Sequence, residues 1–344
     1  MNTQTRDIIP VRKKSTATQG VAVRVKEDYE TLIKAFLDEQ DVNDNSKKVY
    51  RYALMEYFSW IESNNLQLKT LTKIDIFQYK KHLVTDPSET TGKVRTPLTT
   101  NAYITALRLF YGWASRNGYY QDIAYKLKAV PAEDSFVKMH LTPEESRNLL
   151  RTCRESGGKT ALRDYAIIRL MLGTGIREIE VIRARICDIT TIRGRQVLWV
   201  QRKGRVSRDK FVPLMPDTMQ AINEYLDSRP MADPQDPLFV TDGWSPKQQG
   251  AAISTRSIQG ITKKYMRMIG LDSHEYSGHS LRHTTAVTII RGGAGLYEAQ
   301  KALGHSNPAT TQRYLKSIEK EELLENPPTR LVSEMLQGND PEDM

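Results

Sequence analysis

The chain has 344 residues, enough for two domains with cores of their own. Hydrophobic residues make up 39% and charged residues 26%, ordinary for a globular protein in water. No apolar run approaches the roughly 18–20 residues of a membrane span, and no apolar signal core opens the chain, so export is not expected. Cys153 and Cys187 are the only cysteines, which argues against a disulfide framework and fits a reducing cytosol. A net charge of +9 attracts polyanions through counterion release, a property many soluble proteins share.

Residues 1–26 hold six Lys/Arg against a single acid, Asp7, without helical or strand periodicity. They read as a flexible basic arm or as a terminus with no role. Residues 27–125 read as a helical domain. Tyr29, Leu32, Ile33, Phe36 and Leu37 follow the 3.6 period, and Ser46 is a candidate cap for a helix through Val49, Tyr50, Ala53, Leu54, Tyr57, Phe58 and Ile61. Thr72 caps a short helix with Ile76, Tyr79 and Leu83. Thr99 or Thr100 starts another with Tyr103, Ala106, Leu107, Phe110 and Tyr111, which Gly118 ends. Four or five helices are expected, their aromatics forming a core. Basic residues (Lys47, Lys48, Arg51, Lys93, Arg95, Arg108, Arg116) lie along them.

Residues 126–140 lose the periodicity and contain Pro131, so a linker is placed there. Thr142-Pro143-Glu144-Glu145 is a strong helix start: a cap, proline at the first position and acids in the first turn. It opens a second domain over 141–325. Leu162–Leu172 reads as a buried helix and Arg177–Arg183 as another. Val197–Val200 and Phe211–Leu214 read as strands of a hairpin whose tip, Gln201–Lys210, is crowded with cations. From Ser254 the pattern is mainly helical. Residues 317–325 continue a helix that Pro327-Pro328 breaks. Thr329–Gln337 forms a last amphipathic helix with Leu331, Val332, Met335 and Leu336, within a tail over 326–344.

Several chemistries drop out. His279 and His283 stand four apart with His305 downstream, but Ser280 replaces the glutamate of His-Glu-x-x-His and Arg282 repels a cation. No metal is expected. No Walker loop is present, and Gly292-Gly293-Ala294-Gly295 follows a helix, not a strand, so it reads as a turn. What remains suits phosphoryl transfer to a protein nucleophile. A phosphodiester resists water strongly. Its cleavage calls for a nucleophile, guanidinium groups on the non-bridging oxygens, and a general acid and base. Tyr314, Arg177 with Arg282, Lys203 and His279 fill these roles. Each taken alone has a plainer reading: Tyr314 as a packing residue, Arg177 as an ion-pair partner of Glu178 or Glu180.

In order and spacing these residues resemble the tyrosine recombinases, the phage integrase family, over roughly residues 27–318. Arg177 follows the Gly173-Thr174-Gly175-Ile176 turn, with Glu180 three residues later. Lys203, followed by Gly204, lies in the hairpin. His279-Ser280-Leu281-Arg282 matches the His-x-x-Arg box, Leu303-Gly304-His305 the Leu-Gly-His box, and Tyr314 stands nine residues beyond His305. The resemblance implies a mainly α fold with a small β-sheet or hairpin in an α/β-type integrase catalytic domain. It also implies a helical, SAM-like core-binding domain, the two forming a C-shaped clamp on double-stranded DNA.

By the same resemblance, Tyr314 attacks the scissile phosphate to give a 3′-phosphotyrosyl link, and strand exchange passes through a Holliday junction without cofactor. Arg177, Arg282 and His305 bind the phosphate, Lys203 is the general acid, His279 assists proton transfer from Tyr314, and Glu180 orients the site. His283 supports the helix. Lys47, Lys48, Arg51, Arg95, Arg108, Arg202 and Arg205 are candidate DNA contacts. Implied partners are inverted half-sites, three further copies in a tetramer reached through the C-terminal tail, and accessory DNA-bending or directionality factors, in the cytoplasm. An arm of 26 residues is too short for a separate arm-binding domain. Integration, excision and resolution of a mobile element, plasmid or chromosome dimer all remain open, as does a catalytically inactive DNA-binding regulator. A type IB topoisomerase-like nicking enzyme shares the chemistry.

Overall fold

A computed structural model describes residues 28–88, 90–131, 139–202, 207–242, 249–304 and 307–336. The chain divides into two compact units, residues 1–135 and 136–344. The expected basic arm, residues 132–138 of the expected linker and the far end of the tail lie outside the described residues.

The first unit contains helices α1 (Tyr29–Asp38), α2 (Asp44–Ser63), α3 (Lys73–Thr85) and α4 (Pro97–Arg116), with a 3-10 turn at Leu68–Thr70. Their apolar positions recur every three or four residues, so each helix turns one stripe inward. The core is mostly rings. Phe36, Tyr57, Tyr79, Phe110, Tyr111 and Trp113 are nearly inaccessible, and Phe36 meets both Phe110 and Trp113 edge to face at 5.7 Å. Tyr57 and Tyr111 solve the problem of their hydroxyls by sharing a 2.7 Å hydrogen bond.

Two starts differ from expectation. The cap of α2 is Asn43, whose side chain accepts from the Ser46 amide, so Ser46 already lies in the first turn. The cap of α4 is Thr96, with Pro97 in the first turn. Proline's missing N–H costs nothing there, and Thr99 is the residue whose amide Thr96 receives. Thr72 caps α3 reciprocally with Asp75.

The second unit is built around α6 (Ala161–Thr174), whose Ala166, Ile167, Ile168, Leu170 and Met171 are buried on every side. Helices α5 (Pro143–Glu155), α8 (Pro216–Asp227), α9 (Thr255–Met268) and α10 (Gly278–Arg291) pack against it. The short α7 (Glu178–Arg183) follows α6, and α11 (Leu296–Leu303), α12 (Pro308–Glu325) and α13 (Thr329–Leu336) are the last described elements. Helix α12 rests on α10 and α11, burying Thr311 and Ile318. No side chain of α13 is buried.

Strands β1 (Ile189–Ile192), β2 (Arg195–Val200) and β3 (Lys210–Pro213) form an antiparallel sheet in sequence order. The β2–β3 pairing sets Val197 against Pro213 and Val200 against Lys210, the pair read from sequence. Strand β1 was not expected. It turns into β2 through Arg193 and Gly194, both at positive φ (48° and 76°), the geometry of a tight hairpin turn. A second small sheet, β4 (Val240–Asp242) with β5 (Gln249–Ala252), and helix α8 were likewise not read from the sequence. Among the described residues the molecule is thus mostly helical, with two small antiparallel sheets.

Candidate active site

Two glycines and two helix starts assemble the site. Helix α6 ends at Gly175 in the left-handed conformation (φ 65°). A side chain there would be strained and would also strike Leu303, whose Cδ2 lies 2.6 Å from the position a Cβ would take. This close approach brings the α6–α7 turn against the end of α11. Helix α11 itself ends at Gly304, again left-handed (φ 64°).

Arg177 caps α7, and Glu180 fixes it from inside the same turn. The Glu180 carboxylate accepts from the Arg177 amide at 2.8 Å and from its Nη1 at 3.0 Å. Glu180 is 3% exposed, so its charge is held within the unit against Arg177, and Arg282 feels it too. Arg282, on α10, is 6% exposed. Its Nη1 donates to the Gly175 carbonyl and its Nη2 to that of Leu303, at 2.9 Å. The guanidinium therefore ties the α6–α7 turn to the end of α11. The Tyr314 side chain lies near enough to act on its charge.

Burial, and then the neighbouring positive charge of Arg177, bring the Arg282 guanidinium down to about 10, with Tyr314 and Glu180 opposing. It remains a cation at neutral pH. Two guanidiniums held this close repel each other, and an anion placed between them relieves the repulsion.

Tyr314, on α12, is half-buried. Its ring lies 4.8 Å from that of His283, and His283 lies 5.3 Å from His140. His283 is 2% exposed and so backs the phenol from within the unit. His279, one turn before His283 on α10, is exposed, with its Nδ1 4.0 Å from Oε1 of Glu178.

The structure thus brings Arg177, Glu180, Arg282 and Tyr314 together. Lys203, Arg205 and His305 lie outside the described residues. Their chain neighbours do meet: Arg202 donates from Nη1 to the Gly304 carbonyl at 2.8 Å, so the end of β2 reaches the end of α11. Arg202 is therefore held by backbone rather than presented freely. Among the helical-unit candidates, Lys48 and Arg108 are exposed, Lys47 and Arg51 half-buried, and Arg51 faces Glu30 at 3.4 Å. Arg95 is 9% exposed and bound to Glu56 and to the Asp86 carbonyl. Its guanidinium faces inward rather than outward.

Three residues near the site were not singled out from sequence, Gln259, His140 and Arg208, and Glu178 was read only as an alternative ion-pair partner of Arg177, a place Glu180 takes. Arg208 donates to Asp188 at 2.8 Å and to the Arg183 carbonyl at 3.0 Å, clamping the base of the hairpin to the end of α7. No group of three metal-ligating side chains occurs among the described residues, and no helix among them is long and apolar enough to cross a membrane.

Comparison with known proteins bears on this arrangement. The Phage integrase family model matches residues 139–321. A tyrosine recombinase XerC of Pelobacter propionicus is 33% identical over 211 residues, 61% of this chain and 66% of that protein. A tyrosine recombinase XerD of Proteus mirabilis is 27% identical over 306 residues, covering 87% of this chain and 92% of the relative. Among solved structures, the XerH site-specific recombinase bound to palindromic difH substrate superposes with a TM-score of 0.64 at 19% identity, over 87% of this chain and 85% of that one. The Tn1549 transposon integrase in complex with a circular intermediate DNA gives 0.59 at 19% identity, over 83% and 94%. These two likenesses establish a shared fold.

Proposed function

The chain belongs to the phage integrase family of tyrosine recombinases, and on that premise we propose that it cuts and rejoins double-stranded DNA at specific sites through a covalent link on Tyr314. The observation that carries this reading is the gathering of Tyr314 and Arg177 close enough to the buried Arg282 to act on its charge. It sets a phenol oxygen against two fixed cations, where a phosphate would sit.

In the first step the Tyr314 oxygen attacks phosphorus. The P–O bond to tyrosine forms as the bond to the 5′-oxygen breaks, leaving a 3′-phosphotyrosyl link and a 5′-hydroxyl. His279 accepts the phenolic proton, and Lys203 supplies one to the departing oxygen. Arg177, Arg282 and His305 hold the non-bridging oxygens, on which charge grows in the transition state. Glu180 orients Arg177. A 5′-hydroxyl from the partner duplex then reverses the step, and two such exchanges pass through a Holliday junction. The phosphodiester's energy stays in the tyrosyl link, so the cycle is self-contained.

Residues 27–125 serve as the core-binding domain and 141–325 as the catalytic domain. Lys47, Lys48, Arg51 and Arg108 supply phosphate contacts. Four copies assemble on paired inverted half-sites, in the cytoplasm. Helix α13 supports this assembly: Leu331, Val332, Met335 and Leu336 are all exposed, a stripe suited to a neighbouring copy. The task served is integration, excision or resolution of a mobile element, plasmid or chromosome dimer.

The test begins by selecting random-sequence duplexes with the purified protein and reading the recovered half-sites. A labelled, nicked duplex built from them should trap a covalent adduct stable to denaturation. Tyr314→Phe should bind the same duplex and form none. An adduct that persists in this variant removes Tyr314 from its role. Site binding by the unaltered chain with no adduct at all marks a DNA-binding regulator instead.

A further inference from the structure

Helix α7 carries two buried carboxylates. Glu180 turns back to Arg177. Glu178, 6% exposed, turns the other way and joins three helices. Its Oε2 accepts from Gln259 Nε2 on α9 at 2.9 Å. Its Oε1 lies 4.0 Å from Nδ1 of His279 in the first turn of α10. The first residue of α10 is Gly278, and a Cβ there would collide with the Glu178 carboxylate. The start of α10 is therefore shaped around this one acid.

Burying a carboxylate is costly unless it has partners. Glu178 has one hydrogen-bond donor, Gln259, in the described contacts, and its second oxygen is turned to the imidazole. The His279 side chain is 73% exposed, so packing does little to fix its ring. A general base works well when a third group holds it. A carboxylate beside Nδ1 favours the tautomer with its proton there and leaves Nε2 as the acceptor. The 4.0 Å separation exceeds a hydrogen bond, and catalytic contacts are often long before substrate binds and shorten in the complex.

We propose that Glu178 is a positioning residue for His279: it holds the imidazole by Nδ1 so that Nε2 faces the Tyr314 proton. Gln259 fixes the carboxylate in turn. This rests on the reading of His279 as the acceptor of that proton.

The test is a double-mutant cycle on single-turnover adduct formation with the nicked duplex. Wild type, Glu178→Gln, His279→Ala and the double variant are compared at saturating protein. Glu178→Gln keeps the volume and the contact to Gln259 but loses the charge facing Nδ1. It should slow adduct formation about ten- to a hundredfold, part of the 10²–10⁴ that a positioned acid or base supplies, with duplex affinity unchanged. In the His279→Ala background the same change should alter the rate by no more than about twofold, because the group it acts through is gone. Glu178→Asp, which keeps the charge on a shorter stem, should recover part of the rate.

An equal loss in both backgrounds means that Glu178 merely supports the fold, and the proposal falls. Wild-type speed in Glu178→Gln, with His279→Ala slow, also overturns it while leaving the role of His279 intact. Wild-type speed in His279→Ala removes the premise and the proposal together. Should Glu178→Gln lose duplex binding through misfolding, Glu178→Asp carries the same cycle, and equal effects in the two backgrounds again defeat it.

Discussion

Between α2 and α4 the first unit buries rings; the hydroxyls of Tyr57 and Tyr111 satisfy each other, while the Tyr79 hydroxyl and Trp113 Nε1 are buried without a partner. At comparable depth in the second unit lie Arg282, Glu178, Glu180 and His283. Rings give area and dispersion at little electrostatic risk. Buried charges return far less stability, because each must recover its lost hydration. Among its described residues the first unit buries one charged side chain, Arg95 against Glu56; in the second, Arg282 and the Glu180–Arg177 pair gather beside Tyr314. Two variants test that contrast from its two sides.

The largest effect is expected in the ring core. Trp113 is 1% exposed and touches Phe36, Phe110 and Tyr119 within 6 Å. Trp113→Ala should cost about 3–5 kcal/mol, read as a lowered unfolding midpoint of the first unit by hydrogen exchange, while exchange in α6 is unchanged. Equal loosening of α6 would show that the two cores do not melt separately.

The opposite signature is expected at Arg282. Its fork holds two carbonyls beside the Tyr314 side chain, and a lysine ammonium lacks the planar fork that meets both. Arg282→Lys should lower adduct formation by about 10²–10³-fold, as loss of one preorganised donor does, while duplex binding persists. A variant that cleaves at nearly the normal rate would mean that charge alone suffices and the fork is structural.

The contrast also explains what could be read without a structure. The ring core was legible because helical periodicity is local: Tyr57 and Ile61, or Phe110 and Ala114, are one turn apart on the same stripe. The turn at Gly175 was legible because Thr-Gly-Ile-Arg is contiguous, and so was the His-Ser-Leu-Arg-His run, although the start of α10 at Gly278 was not placed. Helix α8 had a signal that went unread, Pro216 and Asp217 in its first turn. Strand β1 had little: Ile189-Thr190-Thr191-Ile192 has both threonines exposed, and its turn rests on an arginine at positive φ. Glu178 was hidden by a sufficient local explanation, since an acid in a helix's first turn needs no further reason. Its partners Gln259 and His279 are distant in sequence, and only folding brings them near. The inward turn of Arg95 onto Glu56 was hidden the same way, because one more cation among seven looks like surface.

The smallest effect concerns how α12 is held behind Tyr314. His140 Nδ1 faces Glu321 of α12 at 3.3 Å, and Arg291 reaches the same carboxylate at 3.0 Å. Burial lowers the His140 imidazole below its ordinary value, with Arg291 adding to the fall and Glu321 and Glu145 opposing it. The native state thus favours neutral His140, and the unfolded chain binds its proton first. Stability from this site is fully present above about pH 6.5, the ordinary histidine value, and is lost as pH falls through the lower native value. The sign follows from burial outweighing the carboxylates; had Glu321 dominated, acid would tighten the contact. His140→Gln removes the titrating group, so the wild type's stability advantage over the variant should shrink from about pH 8 to about pH 5 in paired thermal unfolding. An advantage that grows on acidification would mean that the His140–Glu321 ion pair, and not burial, governs how α12 is seated.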